Sequence, residues 1–110
     1  MERWFTPAFR AKAPATVGQI RKMVEDADAN GYAACCAAVR DYNCRSQLEK
    51  IGAQTLVITG AHDPATPAED GRFLAAHIRG AKYADLDAAH LSNIEDGARF
   101  TEELAGFLSS

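Results

Sequence analysis

The sequence lacks any long apolar segment and any cluster of basic residues. Its longest uninterrupted apolar runs, at residues 32–39 and 56–58, are far shorter than the roughly 20 residues of a membrane-spanning helix. No basic stretch followed by an apolar one has the form of a secretory signal. Lys and Arg are scattered along the 110 residues, whose formal net charge is −3, so no surface for nucleic acid or anionic lipid is indicated. We therefore expect a cytoplasmic protein without nucleic-acid or membrane partners.

Cysteine is also scarce, and its spacing excludes two common uses. The three residues, Cys35, Cys36 and Cys44, are odd in number and two are adjacent, so they form neither a disulfide framework nor a C-x-x-C metal motif. We expect all three thiols to be reduced, and Cys35 and Cys36 to act as compact apolar residues that let a helix pack closely. A reactive thiol is the less favoured alternative.

The first half of the chain shows helical periodicity only. Residues 16–19 (TVGQ) have the form of a capping box and predict the start of an amphipathic helix. Asn30 and Gly31 predict its end, and a second helix is expected from about Tyr32 to Asp41. The apolar residues of the first helix fall on one face: Val17, Ile20, Met23, Val24 and Ala27.

From about Lys50 onward the pattern alternates between strand and helix. The β-branched run at 55–59, which ends in Gly60, is typical of a strand buried on both faces, and a second strand is predicted at 82–87. Residues 68–79 predict the helix between them, with Phe73, Leu74 and Ile78 on its inner face and Gly80 at its end. A last helix carries Phe100, Leu104, Phe107 and Leu108 on one side.

This order predicts an α/β fold with parallel strands. Two parallel strands are a poor independent core, so the pattern indicates part of a larger sheet.

Two residues capable of acid–base chemistry follow the two strands. Asp63 comes three residues after the first strand and His90 three residues after the second. The carboxyl ends of parallel strands meet at one edge of a sheet, so we expect these side chains to lie close together. A carboxylate can then orient an imidazole and stabilise its protonated form. The spacing alone equally allows Asp63 to open an Asp-Pro turn with Pro64, and His90 to be an ordinary loop residue.

Several segments resemble the 3-oxoadipate enol-lactonases of the β-ketoadipate pathway, which are α/β-hydrolases. Residues 56–67 (LVITGAHDPATP) are similar to the acid-bearing loop of α/β-hydrolases, and residues 86–95 (LDAAHLSNIE) to their histidine loop. The second segment, with residues 3–7 (RWFTP) and 31–41 (GYAACCAAVRD), is particularly similar to the lactonases. The resemblance covers almost the entire chain.

The resemblance implies the C-terminal part of an α/β-hydrolase, with a helical cap segment at residues 1–50 and a β-α-β-α part of the core at 51–110. It assigns Asp63 and His90 as the acid and base of a catalytic triad, and it implies no metal or organic cofactor. The nucleophile elbow G-x-S-x-G is missing, because none of the four serines, Ser46, Ser92, Ser109 and Ser110, is flanked by glycines at the required spacing. We therefore expect these 110 residues to be inactive alone and to need a nucleophile-bearing N-terminal hydrolase part.

The substrate implied is a small lactone or ester, specifically 3-oxoadipate enol-lactone. Arg3 and Trp4 are candidate substrate-binding residues, although Trp4 more simply anchors the cap to the core. Gln54, Ala68 and Arg79 depart from the family pattern, since proline is common at each of these positions. Two alternatives stay open: a non-catalytic module that self-associates through its sheet edge, and another cap-bearing α/β-hydrolase, such as an esterase or haloalkane dehalogenase.

Overall fold

The computed structural model describes residues 1–110 and contains six α-helices, one 3-10 helix and two strands. The elements are α1 (Pro7–Lys12), α2 (Pro14–Glu25), α3 (Ala29–Asp41), the 3-10 helix (Arg45–Lys50), β1 (Leu56–Gly60), α4 (Ala68–His77), β2 (Lys82–Leu86), α5 (Ser92–Glu95) and α6 (Gly97–Leu108). The first half is therefore entirely helical, and the second half alternates strands and helices. No helix is both long enough and apolar enough to cross a membrane.

The helix starts in the first half differ from those predicted. Helix α2 begins at Pro14 rather than at Thr16, because proline has the backbone angle of a first helical residue and needs no N–H partner there. Helix α3 begins at Ala29, after the N-cap Asp28, whose carboxylate accepts a hydrogen bond from Gly31 N–H at 2.6 Å. The prediction that the first helix ends at Asn30 and Gly31 was wrong. Helix α2 already ends at Glu25, and both residues lie in the first turn of α3.

The two strands form a parallel sheet, as the pattern predicted. Leu56 pairs with Lys82 and Gly60 with Leu86, so both strands end at the same edge. Helix α4 connects them and packs on one face at Gly71, where an added Cβ would be 2.1 Å from Thr59 Cγ2. Helix α6 contacts both strands as well.

The buried core is centred on β2 and the loop after it. Phe5 and Leu86 are essentially inaccessible to solvent, and so are Ala88 and Ala89. Only 12 of the 110 residues are buried, which shows that the core is small for this length.

The predicted inner face of α4 is only partly covered. Ile78 is buried, whereas Phe73 and Leu74 each remain 37% exposed. A sheet of two strands is too narrow to cover the whole apolar face of this helix.

The apolar surface of α2 and α3 is largely uncovered. Helix α3 contains no buried residue, and several large apolar side chains in this region are more than half exposed: Met23, Tyr32, Val39 and Tyr42. Exposed apolar surface of this kind is typical of a region that packs against another surface.

Candidate active site

Asp63 is held in the loop after β1 by hydrogen bonds to both of its oxygens. Oδ1 accepts from the backbone N–H groups of Ala65 at 2.7 Å and Thr66 at 3.1 Å. Oδ2 accepts from the Thr66 hydroxyl at 2.6 Å. The Asp63 side chain is only 5% exposed. These partners satisfy a carboxylate that is almost removed from water, and they fix its orientation.

His90 lies in the loop after β2 and is hydrogen-bonded to Asp63. Its Nδ1 is 2.8 Å from Asp63 Oδ2 and 3.3 Å from the Thr66 hydroxyl oxygen. Because an ionised carboxylate only accepts hydrogen bonds, Nδ1 carries the proton. The other ring nitrogen, Nε2, makes no hydrogen bond within the chain, and the side chain is 35% exposed. In this tautomer Nε2 is free to accept a proton from a reacting group.

The pKa of Asp63 lies below the ordinary value for an aspartate. Burial raises this pKa. The opposing effect is larger, because Asp63 accepts hydrogen bonds from the side chains of Thr66 and His90 and from the backbone N–H groups of Ala65 and Thr66. Asp63 is therefore ionised at neutral pH and acts as a hydrogen-bond acceptor for His90 Nδ1–H.

The backbone before His90 is fixed against β1 by a very close approach. The His62 N–H donates to the Ala88 carbonyl at 3.0 Å. At Gly60 an added Cβ would lie 2.2 Å from the Ala89 carbonyl oxygen and 2.5 Å from that of Ala88. Only glycine allows the histidine loop to lie this near the end of β1.

The two substrate-binding candidates, Arg3 and Trp4, line one cleft beside α2. The Trp4 ring centroid is 6.4 Å from that of His90, and the Trp4 carbonyl accepts a hydrogen bond from Leu91 N–H at 3.0 Å. Arg10 lines this cleft as well. The structure thus places the Trp4 ring near His90, but neither Trp4 nor Arg3 lines the cavity that Asp63 and His90 line.

The remaining candidate groups do not complete a catalytic triad. Ser92 is buried and lines the same cavity as His90, but no hydrogen bond joins the two side chains. His62 forms a second imidazole–carboxylate pair with Asp87 at 2.7 Å, on an exposed surface. No cluster of three or more His, Cys, Asp or Glu side chains has an arrangement that could hold a metal ion.

Sequence reasoning missed two residues that support His90. Thr66 contacts both Asp63 and His90, and its position in the turn after an Asp-Pro pair was an available signal. Glu95 accepts hydrogen bonds from Ala89 and Thr6. No local pattern indicates that contact, because Thr6 and Glu95 are 89 residues apart.

Comparison with known proteins gives the same family as the sequence motifs. No protein-family model matches the chain. It is 41% identical over 98 residues to 3-oxoadipate enol-lactonase 2 of Acinetobacter baylyi, covering 89% of the chain and 37% of that protein. It is 36% identical over 108 residues to 3-oxoadipate enol-lactonase 1 of the same organism, covering 98% of the chain and 41% of that protein.

A solved structure agrees with these sequence relatives. The crystal structure of the enol-lactonase from Burkholderia xenovorans LB400 superimposes with a TM-score of 0.96 at 39% identity, over 98% of the chain and 42% of that protein. The chain thus spans about two fifths of the length of the curated relatives it matches. The predicted family resemblance and α/β class are confirmed, and the chain is a homologue of the 3-oxoadipate enol-lactonases that shares the fold of the α/β-hydrolases.

Proposed function

We propose that this chain supplies the acid–base part of a serine-type hydrolase that opens 3-oxoadipate enol-lactone to 3-oxoadipate. His90 is the general base and acid, and Asp63 orients it. The single observation that carries the proposal is the 2.8 Å hydrogen bond between His90 Nδ1 and the buried carboxylate of Asp63. On this proposal the protein acts in the cytoplasm, in the β-ketoadipate pathway of aromatic degradation.

The geometry suits proton transfer at His90 Nε2. In the first step this nitrogen takes the proton of a serine hydroxyl as its oxygen attacks the lactone carbonyl. The imidazolium, stabilised by ionised Asp63, then protonates the departing enol oxygen, and the enol product relaxes to the ketone. In the second step His90 takes a proton from water as the water oxygen attacks the acyl-enzyme carbonyl. The imidazolium then gives this proton to the departing serine oxygen, which releases the acid and restores both residues.

The nucleophile and the oxyanion hole belong, on this proposal, to residues outside these 110. No serine here lies in a G-x-S-x-G motif. The exposed apolar side chains of α2 and α3 and the narrow sheet support a further hydrolase part that packs against this chain. Residues 1–50 would then be a segment of the cap, and residues 51–110 the end of the core.

The substrate in this proposal is a small acidic lactone. Trp4 would form an apolar wall beside the base, because its ring is 6.4 Å from that of His90. Arg3 would supply positive charge for the substrate carboxylate. Arg3 and Trp4 line the same cleft, which supports a charge placed beside this apolar wall.

A complementation assay tests the proposal. The 110-residue chain is mixed with the nucleophile-bearing N-terminal part of an enol-lactonase relative, and hydrolysis of 3-oxoadipate enol-lactone is followed. We expect negligible turnover from the chain alone and activity from the mixture that His90→Ala abolishes. His62→Ala, which alters the exposed imidazole–carboxylate pair, is the matched control and should retain activity. If the chain alone hydrolyses the lactone and His90→Ala removes that activity, the proposal that the nucleophile lies outside these 110 residues is overturned.

Assembly through the sheet edge is a second candidate, favoured by the two unpaired edges of a two-stranded sheet. It predicts a stable homo-oligomer in solution without any requirement for His90. Light scattering on the purified chain separates the two proposals, because a monomer excludes assembly through the edge.

A further inference from the structure

The carboxylate of Glu95 joins the N-terminal segment, residues 1–6, to the loop that carries His90. Its Oε1 and Oε2 are each 3.2 Å from the backbone nitrogen of Thr6, whose hydroxyl also donates to Oε1. Its Oε2 accepts from the backbone N–H of Ala89 at 3.0 Å. Ala89 immediately precedes His90, so Glu95 fixes the backbone from which the imidazole projects.

A second link lies on the other side of His90. The backbone N–H of Leu91, the residue after His90, donates to the carbonyl of Trp4 at 3.0 Å. His90 is therefore held by hydrogen bonds to both of its sequence neighbours. One runs directly to the N-terminal segment, and the other reaches it through Glu95.

The role of Glu95 is geometric rather than one of charge pairing. All of its donors are neutral, two backbone N–H groups and one hydroxyl, and it forms no ion pair. Glu95 lines a cavity together with four other charged or titratable side chains, and none of these makes a hydrogen bond with it: Glu2, Lys12, His62 and Asp87. Both oxygens are needed, because Oε1 accepts from the Thr6 hydroxyl and Oε2 accepts from the Ala89 N–H.

We infer that Glu95 is a positioning residue, which holds His90 at Asp63 and sets its place relative to Trp4 in the N-terminal segment. This rests on the proposed function, in which His90 is the base. It adds that the N-terminal segment and the base move as one unit, so a displacement of this segment is transmitted to the imidazole.

NMR of the 110-residue chain labelled with ¹⁵N-histidine tests the inference without any substrate. The readout is the Nδ1–H resonance of His90 and its exchange with solvent, assigned by comparison with His90→Ala. In Glu95→Gln one oxygen becomes an NH₂ group, which cannot accept from Thr6 or Ala89. We expect a shifted Nδ1–H resonance that exchanges faster with water. Glu25→Gln, at an exposed residue of α2, is the charge-matched control and should leave the resonance unchanged.

A second pair of variants tests the link from the other end. Thr6→Val removes the hydroxyl that donates to Glu95 and should shift the same resonance, whereas Thr6→Ser retains the hydroxyl and should restore it. An unchanged His90 resonance in folded Glu95→Gln overturns the inference. If Glu95→Gln does not fold, an unchanged resonance in Thr6→Val overturns it instead. The complementation assay with His90→Ala tests the proposed function separately, so each idea can fail alone.

Discussion

Gly60 lies so close to Ala89 that a Cβ at residue 60 would be 2.2 Å from the Ala89 carbonyl oxygen. Because the obstacle is backbone, it cannot move aside as the end of a flexible side chain can. We expect Gly60→Ala to lower the free energy of unfolding by about 1–3 kcal/mol, as overpacked sites do, and to displace His90 from Asp63. Urea unfolding and the Nδ1–H resonance of His90 measure the two effects.

The matched control is Gly106→Ala in α6, where an added Cβ meets nothing within 4 Å. There we expect a gain of roughly 0.5–1 kcal/mol, because alanine favours a helix interior more than glycine does. Equal stability changes at the two sites would contradict the argument from close approach.

A second tight contact, between α4 and β1, should show energetic coupling. A Cβ at Gly71 would be 2.1 Å from Thr59 Cγ2, and the next nearest atoms lie at ordinary contact distances of 3.4 and 3.5 Å. The Thr59 side chain cannot easily rotate, because its hydroxyl is hydrogen-bonded to Tyr83 and Asp85. We therefore expect Gly71→Ala to destabilise the chain. Thr59→Ser, which removes only the Cγ2 methyl group, should rescue it.

A double-mutant cycle of Gly71→Ala and Thr59→Ser measures this rescue by denaturant unfolding. The double variant should be more stable than the sum of the single changes predicts, by about 0.5–3 kcal/mol, as is typical of residues in contact. Simple additivity would show that the methyl group is not the obstacle.

The catalytic candidates were predictable because they depend on strand ends. The β-branched run before Gly60 and the spacing of Asp63 and His90 after their strands are local patterns, and a parallel sheet brings such positions together. The predicted boundaries of the helices in the first half were less accurate. The prolines at the starts of α1 and α2 and the Asp28 cap decided their boundaries, whereas the capping-box pattern did not.

The support of the site could not be predicted in the same way. The contact of Glu95 with Thr6 joins residues 89 positions apart, and no periodicity of a helix or strand relates them. The exposure of Phe73 and Leu74 depends on how many strands lie beneath α4, which the sequence of that helix does not encode.

Asp63→Asn should reverse the tautomer of His90. The backbone donors of Ala65 and Thr66 at Oδ1 select the amide oxygen for that position, which leaves the NH₂ group facing His90 Nδ1. His90 must then carry its proton on Nε2 and can no longer accept one there. ¹⁵N chemical shifts of the ring nitrogens detect the change directly in the 110-residue chain. In the complemented enzyme we expect kcat to fall by roughly 10⁴-fold, as when the orienting carboxylate of a triad becomes an amide.

Asp87→Asn is the control for this prediction, because it makes the same change in the exposed pair with His62. It should leave the ring nitrogens of His90 unaffected. A His90 that keeps its proton on Nδ1 in Asp63→Asn would contradict the assigned hydrogen bond.

The lowered pKa of Asp63 should make the stability of the chain depend on pH in acid. Since folding favours the ionised carboxylate, its stabilisation is present above the unfolded-state pKa, about 4, and is lost as the pH falls through the lower folded-state pKa. Asn does not titrate in this range, so Asp63→Asn should lose less stability than the wild type when urea unfolding is compared between about pH 5 and pH 2. Asp26→Asn removes an exposed carboxylate bonded to Lys22, and surface pairs of this kind contribute little, so this variant should follow the wild-type curve. Parallel curves for wild type and Asp63→Asn would show that the buried carboxylate is not preferentially ionised in the folded chain.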